Sequence, residues 1–113
     1  MRLETKKYLL DIQQAALLAS GFVAGRTFAD YEENAMLRSA VERQCEIVGE
    51  ALAKLAKTDE PVAARISDYR RIIAFRNILI HGYTEVDNRL VWDVVTTKVP
   101  TLAAQVTGLL ASD

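Results

Sequence analysis

The sequence predicts an all-α bundle that forms a single domain over residues 1–113, in which two long antiparallel helices pack with two or three shorter ones. Apolar residues recur at steps of three and four through most of the chain, as in helices with one buried face. Residues 90–99 would tolerate a strand, but no second candidate strand exists to pair with them. Half of the 113 residues are apolar and 26% are charged, which suits a folded domain with one core.

The first long helix is predicted over residues 3–24. Its apolar residues include a seven-residue repeat with other apolar residues alongside: Leu3, Leu10, Leu17, Ile12, Ala16 and Ala19. Gly21 and Gly25 weaken the end of this helix. A short connection follows, in which Phe28 is an apolar anchor and Asp30 a plausible helix cap.

The second long helix is predicted over residues 31–57. Its apolar residues again step by three or four: Leu37, Val41, Cys45, Val48, Leu52 and Leu55. Gly49 lies inside this helix, where glycine costs about 1 kcal/mol relative to alanine. We expect that this glycine permits a neighbouring element to pack closely.

Capping residues set the start of the next two helical segments. Pro61 suits a first helical position, and Asp59 or Glu60 before it can act as a cap. After a short turn, Ser67 or Asp68 is expected to cap the third main helix.

The third helix should stop at Gly82, because glycine tolerates the left-handed geometry of a C-terminal cap. Asp87 is then expected to cap a fourth helix that contains a packed Trp92. Pro100 is expected to start a last helix over residues 101–110.

The third helix and the residue after its glycine cap carry the side chains best suited to catalysis or binding: Arg76, Asn77, His81 and Tyr83. His81 is the only histidine in the chain. At about 100° per residue, Tyr83 lies about 20° behind Arg76, and Asn77 and His81 lie roughly 100° and 140° ahead of it. These polar side chains therefore share one arc. An opposing stripe is expected to face the core: Ile72, Phe75, Ile78 and Leu79.

Ile73 and Ile80 fall in the middle of that polar arc. A solvated face would not usually carry two isoleucines beside an arginine and a histidine. We infer that this face is covered, most simply by a second copy of the chain. The sequence therefore predicts a homodimer.

The polar residues of this arc suit metal-free cleavage of RNA, in which a 2′-hydroxyl attacks its own phosphate. His81 can transfer protons near neutral pH, and Arg76 can stabilise negative charge that builds on the phosphate. Asn77 can orient either group. Arg76 and His81 diverge on one helix, so either the helix ends early and His81 swings back, or a two-fold axis builds a composite site.

Each of these residues also has a structural interpretation. His81 can be a capping group that interacts with the helix dipole. Arg76 can be an ion-pair partner of an acidic residue on the second helix, and Tyr83 can be an ordinary packing residue.

A row of glutamates on the second helix also has two interpretations: Glu42, Glu46 and Glu50. The row is either a solvated acidic edge, or one of its carboxylates orients Arg76 or His81 across the bundle.

Composition excludes several classes of function. The formal net charge of −1 argues against a strongly basic nucleic-acid platform, although not against a local basic cleft. Cys45 is the only cysteine and is expected to be a buried, reduced thiol. One histidine and one cysteine cannot supply the usual zinc ligands. Without a signal peptide or a bilayer-spanning apolar run, we expect a cytoplasmic protein that does not enter membranes.

The segment 76–83 resembles the motif of HEPN domains, an arginine, a polar residue, three more positions and a histidine. It also matches the narrower form of HepT-type toxins: an arginine, four residues, a histidine, any residue and a tyrosine. Further segments of this chain resemble the same family: residues 27–30, 40–51, 86–92 and 99–100. The resemblance covers nearly the whole chain.

This resemblance implies an α-helical homodimer with a composite cleft and no cofactor or metal. It implies a toxin that cuts RNA and is paired with a nucleotidyltransferase antitoxin of the MntA type. An assembly with that antitoxin that is larger than a dimer stays open. By the same likeness, Arg76 and His81 are the ribonuclease residues and Asn77 their polar companion. Tyr83 is the hydroxyl to which the antitoxin attaches AMP.

Two functions stay open at this point. The first is a metal-independent endoribonuclease toxin that uses Arg76 and His81, which the complete motif favours. The second is a non-catalytic HEPN partner that docks onto a nucleotidyltransferase as its substrate or regulatory subunit. The modest net charge slightly favours the second, because phosphate contacts dominate RNA binding.

Overall fold

The computed structural model describes residues 1–82 and 86–112, and every regular element in these ranges is helical. The predicted all-α class is therefore confirmed. In chain order, the elements are α1 (Leu3–Val23), α2 (Phe28–Glu33), α3 (Ala35–Thr58), α4 (Glu60–Ala63), α5 (Tyr69–His81), α6 (Asn88–Asp93), a π-helical turn (Val94–Lys98) and α7 (Val99–Ala111).

The two long helices, α1 and α3, pack side by side in opposite directions. Thr5 Oγ1 donates to Asp59 Oδ2 at 2.9 Å, which joins the start of α1 to the residue that follows α3. Arg2 also donates to the backbone carbonyl of Thr58. Fully buried side chains of both helices form the centre of the core: Leu9, Ile12, Ala16, Ala19, Val41, Leu52 and Leu55. The predicted pair of antiparallel long helices is thus confirmed.

The seven-residue leucine repeat of α1 faces outward, contrary to the expectation that it packs with the core. Leu3, Leu10 and Leu17 are exposed by 84%, 52% and 56%. The inward face carries small residues instead, among them Ala16 and Ala19, which are fully buried. Leu9 and Ile12 share this buried face with the alanines, so the leucine repeat falls on the opposite side of the helix.

The predicted helix over residues 31–57 is divided at Asn34. Thr27 caps α2: its hydroxyl accepts from the Asp30 N–H, and the Asp30 carboxylate accepts from the Thr27 N–H at 2.9 Å. Asp30 is therefore the partner of the cap and not the cap itself. The Asn34 side chain accepts from the Leu37 N–H at 3.0 Å and starts α3. Tyr31 consequently belongs to α2.

Contacts with the last helix fix the start of α5. The Ser67 N–H donates to Gln105 Oε1 at 3.0 Å, and Gln105 Nε2 donates to Ser67 Oγ at 2.7 Å. Asp68 takes the N-cap position with a left-handed φ of 58°, but its side chain makes no capping hydrogen bond. Its carboxylate lies 3.7 Å from Lys98 Nζ instead. The sequence predicted Asp68 as a candidate for this N-cap position, but it did not predict that Lys98 would be the ion-pair partner of Asp68.

The predicted fourth and fifth helices join into one continuous helical segment. Asp87 caps its start by accepting from the Arg89 N–H at 2.9 Å, as expected. The chain then passes through the π-helical turn, in which the Val99 N–H donates to the Val94 carbonyl. This widened turn accommodates Pro100, which lacks an N–H and whose ring crowds the preceding turn of a regular helix. Pro100 therefore lies in the first turn of α7, as predicted, although the helical backbone enters α7 without a break.

None of the helices within the described residues combines the length and the apolar character that crossing a membrane requires.

Cys45 lies on the core side of α3 and is 4% exposed. Burial, together with the nearby carboxylates of Glu42 and Glu46, raises the pKa of its thiol to about 12. The predicted buried thiol is confirmed.

The folded protein is therefore expected to resist alkylation of Cys45 by iodoacetamide at pH 8, because the thiolate is the reactive form. Unfolding in urea should raise the rate of alkylation to that of an exposed cysteine. Mass spectrometry would measure alkylation of the folded and the unfolded protein. Rapid stoichiometric labelling of the folded protein at pH 8 would contradict this placement.

Candidate active site

Helix α5 approaches α3 very closely at Gly49 and Arg76. A Cβ atom added at Gly49 would lie 2.2 Å from Arg76 Cβ and 2.8 Å from Arg76 Cγ, distances too short for any side chain to fit. The prediction that Gly49 permits close packing is confirmed. Sequence reasoning did not identify Arg76 as the neighbour, although a glycine inside a long helix was a signal that some element crosses there.

The guanidinium of Arg76 lies against its own helix beyond this crossing. Its Nη1 donates to Asn77 Oδ1 at 3.2 Å. Its Nε is buried and meets no hydrogen-bond acceptor in the part of the chain that the structure describes. A buried donor without an acceptor costs roughly 1–3 kcal/mol. The Nε donor of Arg76 is therefore left unsatisfied by the described residues.

His81 is the last residue of α5, and its side chain is exposed. Asn77 precedes it by four residues, so the two side chains are surface neighbours with Cβ atoms about 5–6 Å apart. The hydrogen bond to Asn77 thus draws the Arg76 guanidinium toward the side of the helix that carries His81. The alternative in which the helix ends before His81 is wrong, because the helical hydrogen bonding continues through this residue. A composite site stays a prediction.

Gly82 ends α5 as predicted, but for a different reason. Its φ of −104° is not left-handed, so the expected cap geometry is absent. Its N–H donates to the Ile78 carbonyl at 2.8 Å, and a Cβ atom at this position would lie 2.8 Å from the same oxygen. Glycine is thus suited to this position because the backbone folds tightly over the last turn, directly after His81.

The isoleucines of α5 divide between two surfaces. Ile73 and Ile80 are half-buried within the polar arc, in agreement with a face that is only partly solvated. Ile78 was expected in the core, but it is 48% exposed. It lines an apolar groove of about 290 Å³ between α5 and α6, together with Leu90. The core side of α5 is narrower than predicted, since only Phe75 and Leu79 are buried.

The glutamates of α3 form a local acidic edge and do not orient the arginine. Glu46 lies 3.8 Å from Arg43, and Glu50 lies 3.6 Å from Lys54, both on the same helix. Within residues 1–82 and 86–112, no ion pair joins Arg76 to a carboxylate. Glu42 is the third glutamate of this row, and burial raises the pKa of its carboxyl group. The neighbouring Glu46 raises that pKa further. The interpretation in which a glutamate holds Arg76 or His81 is therefore not supported by these contacts.

Tyr83 lies outside the described residues. The structure joins Arg76 to Asn77 by a hydrogen bond, with α3 as the support of the arginine, and His81 lies one helical turn further along α5 than Asn77.

An all-α bundle that carries an arginine, a polar residue and a histidine at this spacing on one helix is a HEPN domain. Within this class, the chain matches the family described as Ribonuclease HepT-like over residues 12–109. The chain therefore belongs to the HepT-like family.

Related proteins of similar length are known from bacteria and archaea. The chain is 30% identical to a provisionally named RNase of Caldanaerobacter subterraneus subsp. tengcongensis, with 96% of each chain covered. It is 31% identical to a provisionally named RNase of Methanocaldococcus jannaschii, over 91% of this chain and 94% of the relative. It is 32% identical to a provisionally named ribonuclease HepT of Thermococcus cleftensis, over 90% and 92%. No solved structure shows significant similarity to this chain.

Gly49→Ala is expected to lower the free energy of unfolding by about 1–3 kcal/mol, because the new methyl group overpacks the crossing with Arg76. Urea denaturation would measure the loss. Gly108→Ala is the matched control: it lies inside α7, and its added Cβ would meet no atom within 4 Å. That variant should keep or raise stability, by up to about 1 kcal/mol. Equal effects of the two substitutions would contradict the close crossing.

Proposed function

We propose that this protein is a metal-independent endoribonuclease that acts as the toxin of a toxin–antitoxin pair in the cytoplasm, with Arg76 and His81 as its catalytic residues. The observation that supports this most directly is the state of the Arg76 side chain. Its stem is fixed against Gly49, its head is bonded to Asn77 beside His81, and its buried Nε has no acceptor among the described residues. Such a guanidinium is suited to bind a phosphate.

The proposed reaction is an intramolecular transesterification of RNA. The 2′-oxygen forms a bond to the adjacent phosphorus while the bond from phosphorus to the 5′-oxygen of the next nucleotide breaks. The net reaction moves one proton from the 2′-oxygen to the leaving 5′-oxygen, and His81 is a group that can carry it near neutral pH. Arg76 would stabilise the extra negative charge on the phosphate as the bonds exchange. The products are a cyclic phosphate and a free 5′-hydroxyl.

A homodimer would complete this site. Ile73 and Ile80 lie half-buried between Arg76 and the edge of the helix that carries His81, where a second copy would cover them. A two-fold axis through this face would bring both copies of the polar residues to one cleft.

The proposed partner is a nucleotidyltransferase antitoxin of the MntA type, which would attach AMP to Tyr83. Binding of this antitoxin to the homodimer would give a larger assembly. Tyr83 follows Gly82, the cap of α5, so its hydroxyl belongs to the segment directly after His81. An anionic AMP group there would compete with RNA phosphate for Arg76 and crowd the cleft.

The net charge of −1 favours a second candidate, a non-catalytic HEPN subunit of a nucleotidyltransferase. Such a protein would accept AMP from its partner but leave RNA intact.

Arg76→Ala and His81→Ala are each expected to slow RNA cleavage by about 10²–10⁴-fold, because each removes charge stabilisation or proton transfer. Cleavage of a labelled RNA by the purified protein, with and without EDTA, would measure this, and EDTA should have no effect. Arg71→Ala is the control, since Arg71 lies on the groove side of α5.

The toxin hypothesis fails if the wild-type protein and both variants leave RNA intact and expression of each is equally harmless to growth. Intact RNA together with AMP transfer would support the second candidate.

Tyr83→Phe is expected to abolish modification by a cognate nucleotidyltransferase and ATP, because it removes the accepting hydroxyl. Intact-mass spectrometry should show the wild-type chain gaining mass in AMP steps and losing ribonuclease activity at the same time. Tyr69→Phe serves as a control at the other end of α5. AMP addition to the Tyr83→Phe variant would place the accepting residue elsewhere.

A further inference from the structure

We propose that Arg70 binds a phosphate of the RNA substrate one or two nucleotides from the cleaved bond, and so extends the site along α5. This inference rests on the proposed ribonuclease function. It is carried by the position of Arg70 on the same stripe of the helix as Asn77 and His81.

The stripe follows from helix geometry. At about 100° per residue, Asn77 lies about 20° to one side of Arg70, and His81 lies about 20° to the other side. All three residues belong to the continuous helix α5 and all three are exposed. At about 1.5 Å per residue, Arg70 is about 10 Å from Asn77 and about 16 Å from His81 along the axis. That separation places Arg70 away from the reacting phosphate and suits a phosphate one or two nucleotides further along the strand.

The Arg70 side chain is held in place and keeps its charge available. Its guanidinium carbon lies 5.3 Å from the centre of the Tyr69 ring. The Tyr69 hydroxyl in turn donates to Glu60 Oε1 at 3.2 Å, and its ring packs against the core. No carboxylate forms an ion pair with Arg70 within the described ranges. A stacked, positively charged guanidinium of this kind is suited to bind a backbone phosphate through its remaining donors.

The neighbouring Arg71 supplies a matched comparison. It is turned about 100° away from Arg70 on the helix. There it lines the apolar groove with Ile78, close to the ion pair between Asp68 and Lys98. Both arginines border a shallow depression at the start of α5, but only Arg70 shares the stripe with the proposed catalytic residues.

The test measures binding of a single-stranded 2′-O-methyl RNA, which lacks the attacking hydroxyl and is not cleaved. Dissociation constants over a series of NaCl concentrations are compared for the wild type, Arg70→Ala, Arg70→Lys and Arg71→Ala. Each phosphate contact to a single strand contributes about 0.7 to the slope of log affinity against log salt. We expect Arg70→Ala to reduce this slope by about 0.7, while Arg70→Lys and Arg71→Ala retain it.

Cleavage of ordinary RNA gives an independent readout. Arg70→Ala should raise KM and leave kcat within about twofold, since the lost contact is made equally in the ground state and the transition state. An unchanged salt slope for Arg70→Ala, or the same reduction for Arg71→Ala, would overturn the role of Arg70 even if the wild type cuts RNA. A wild-type protein that binds the RNA with the expected Arg70 dependence but cuts none would overturn the proposed catalysis and leave this binding site standing.

Discussion

The crossing of α5 over α3 at Gly49 is the contact on which the candidate site depends. With no side chain at Gly49, the backbone of α3 becomes the surface that supports the first carbons of Arg76. A flexible side chain of this length normally loses up to about 2 kcal/mol of conformational entropy when it is fixed. Here the folded bundle has already fixed its stem. The remaining freedom lies in the guanidinium, which the hydrogen bond to Asn77 limits further.

This arrangement also explains how the Arg76 side chain can approach Asn77 and the side of the helix that carries His81, although their Cα positions diverge. Arg76 lies nearer the core than His81, and its Nε is buried. Its length allows the charged end to return toward Asn77, which is a neighbour of His81 on the helix surface. The length of the Arg76 side chain therefore compensates for the angle between Arg76 and His81 around the helix axis. A shorter cationic side chain at residue 76 would start from the same backbone position but could not form the hydrogen bond to Asn77.

Sequence periodicity predicted the class of fold, the two long helices, the buried Cys45 and the end of α5 near Gly82. Its errors came from features that local patterns do not encode. The leucine repeat of α1 is apolar but lies outside, because the buried stripe of this helix runs through Leu9, Ile12, Ala16 and Ala19. Ile78 was assigned to the core, but α6 leaves a groove beside it. The π-helical turn that joins α6 to α7 without a break was not predicted. The identity of the residue packed on Gly49 depends on a tertiary contact, which no single sequence displays.

The distribution of charge bears more directly on RNA binding than the net charge does. The net value of −1 includes several acidic groups that are already paired on α3, among them Glu46 with Arg43 and Glu50 with Lys54. Helix α5, in contrast, contains three arginines and no carboxylate from Tyr69 to His81. Electrostatic interactions between exposed charges are screened beyond about 10 Å at moderate salt. A nearly neutral protein can therefore still present a local excess of positive charge along α5.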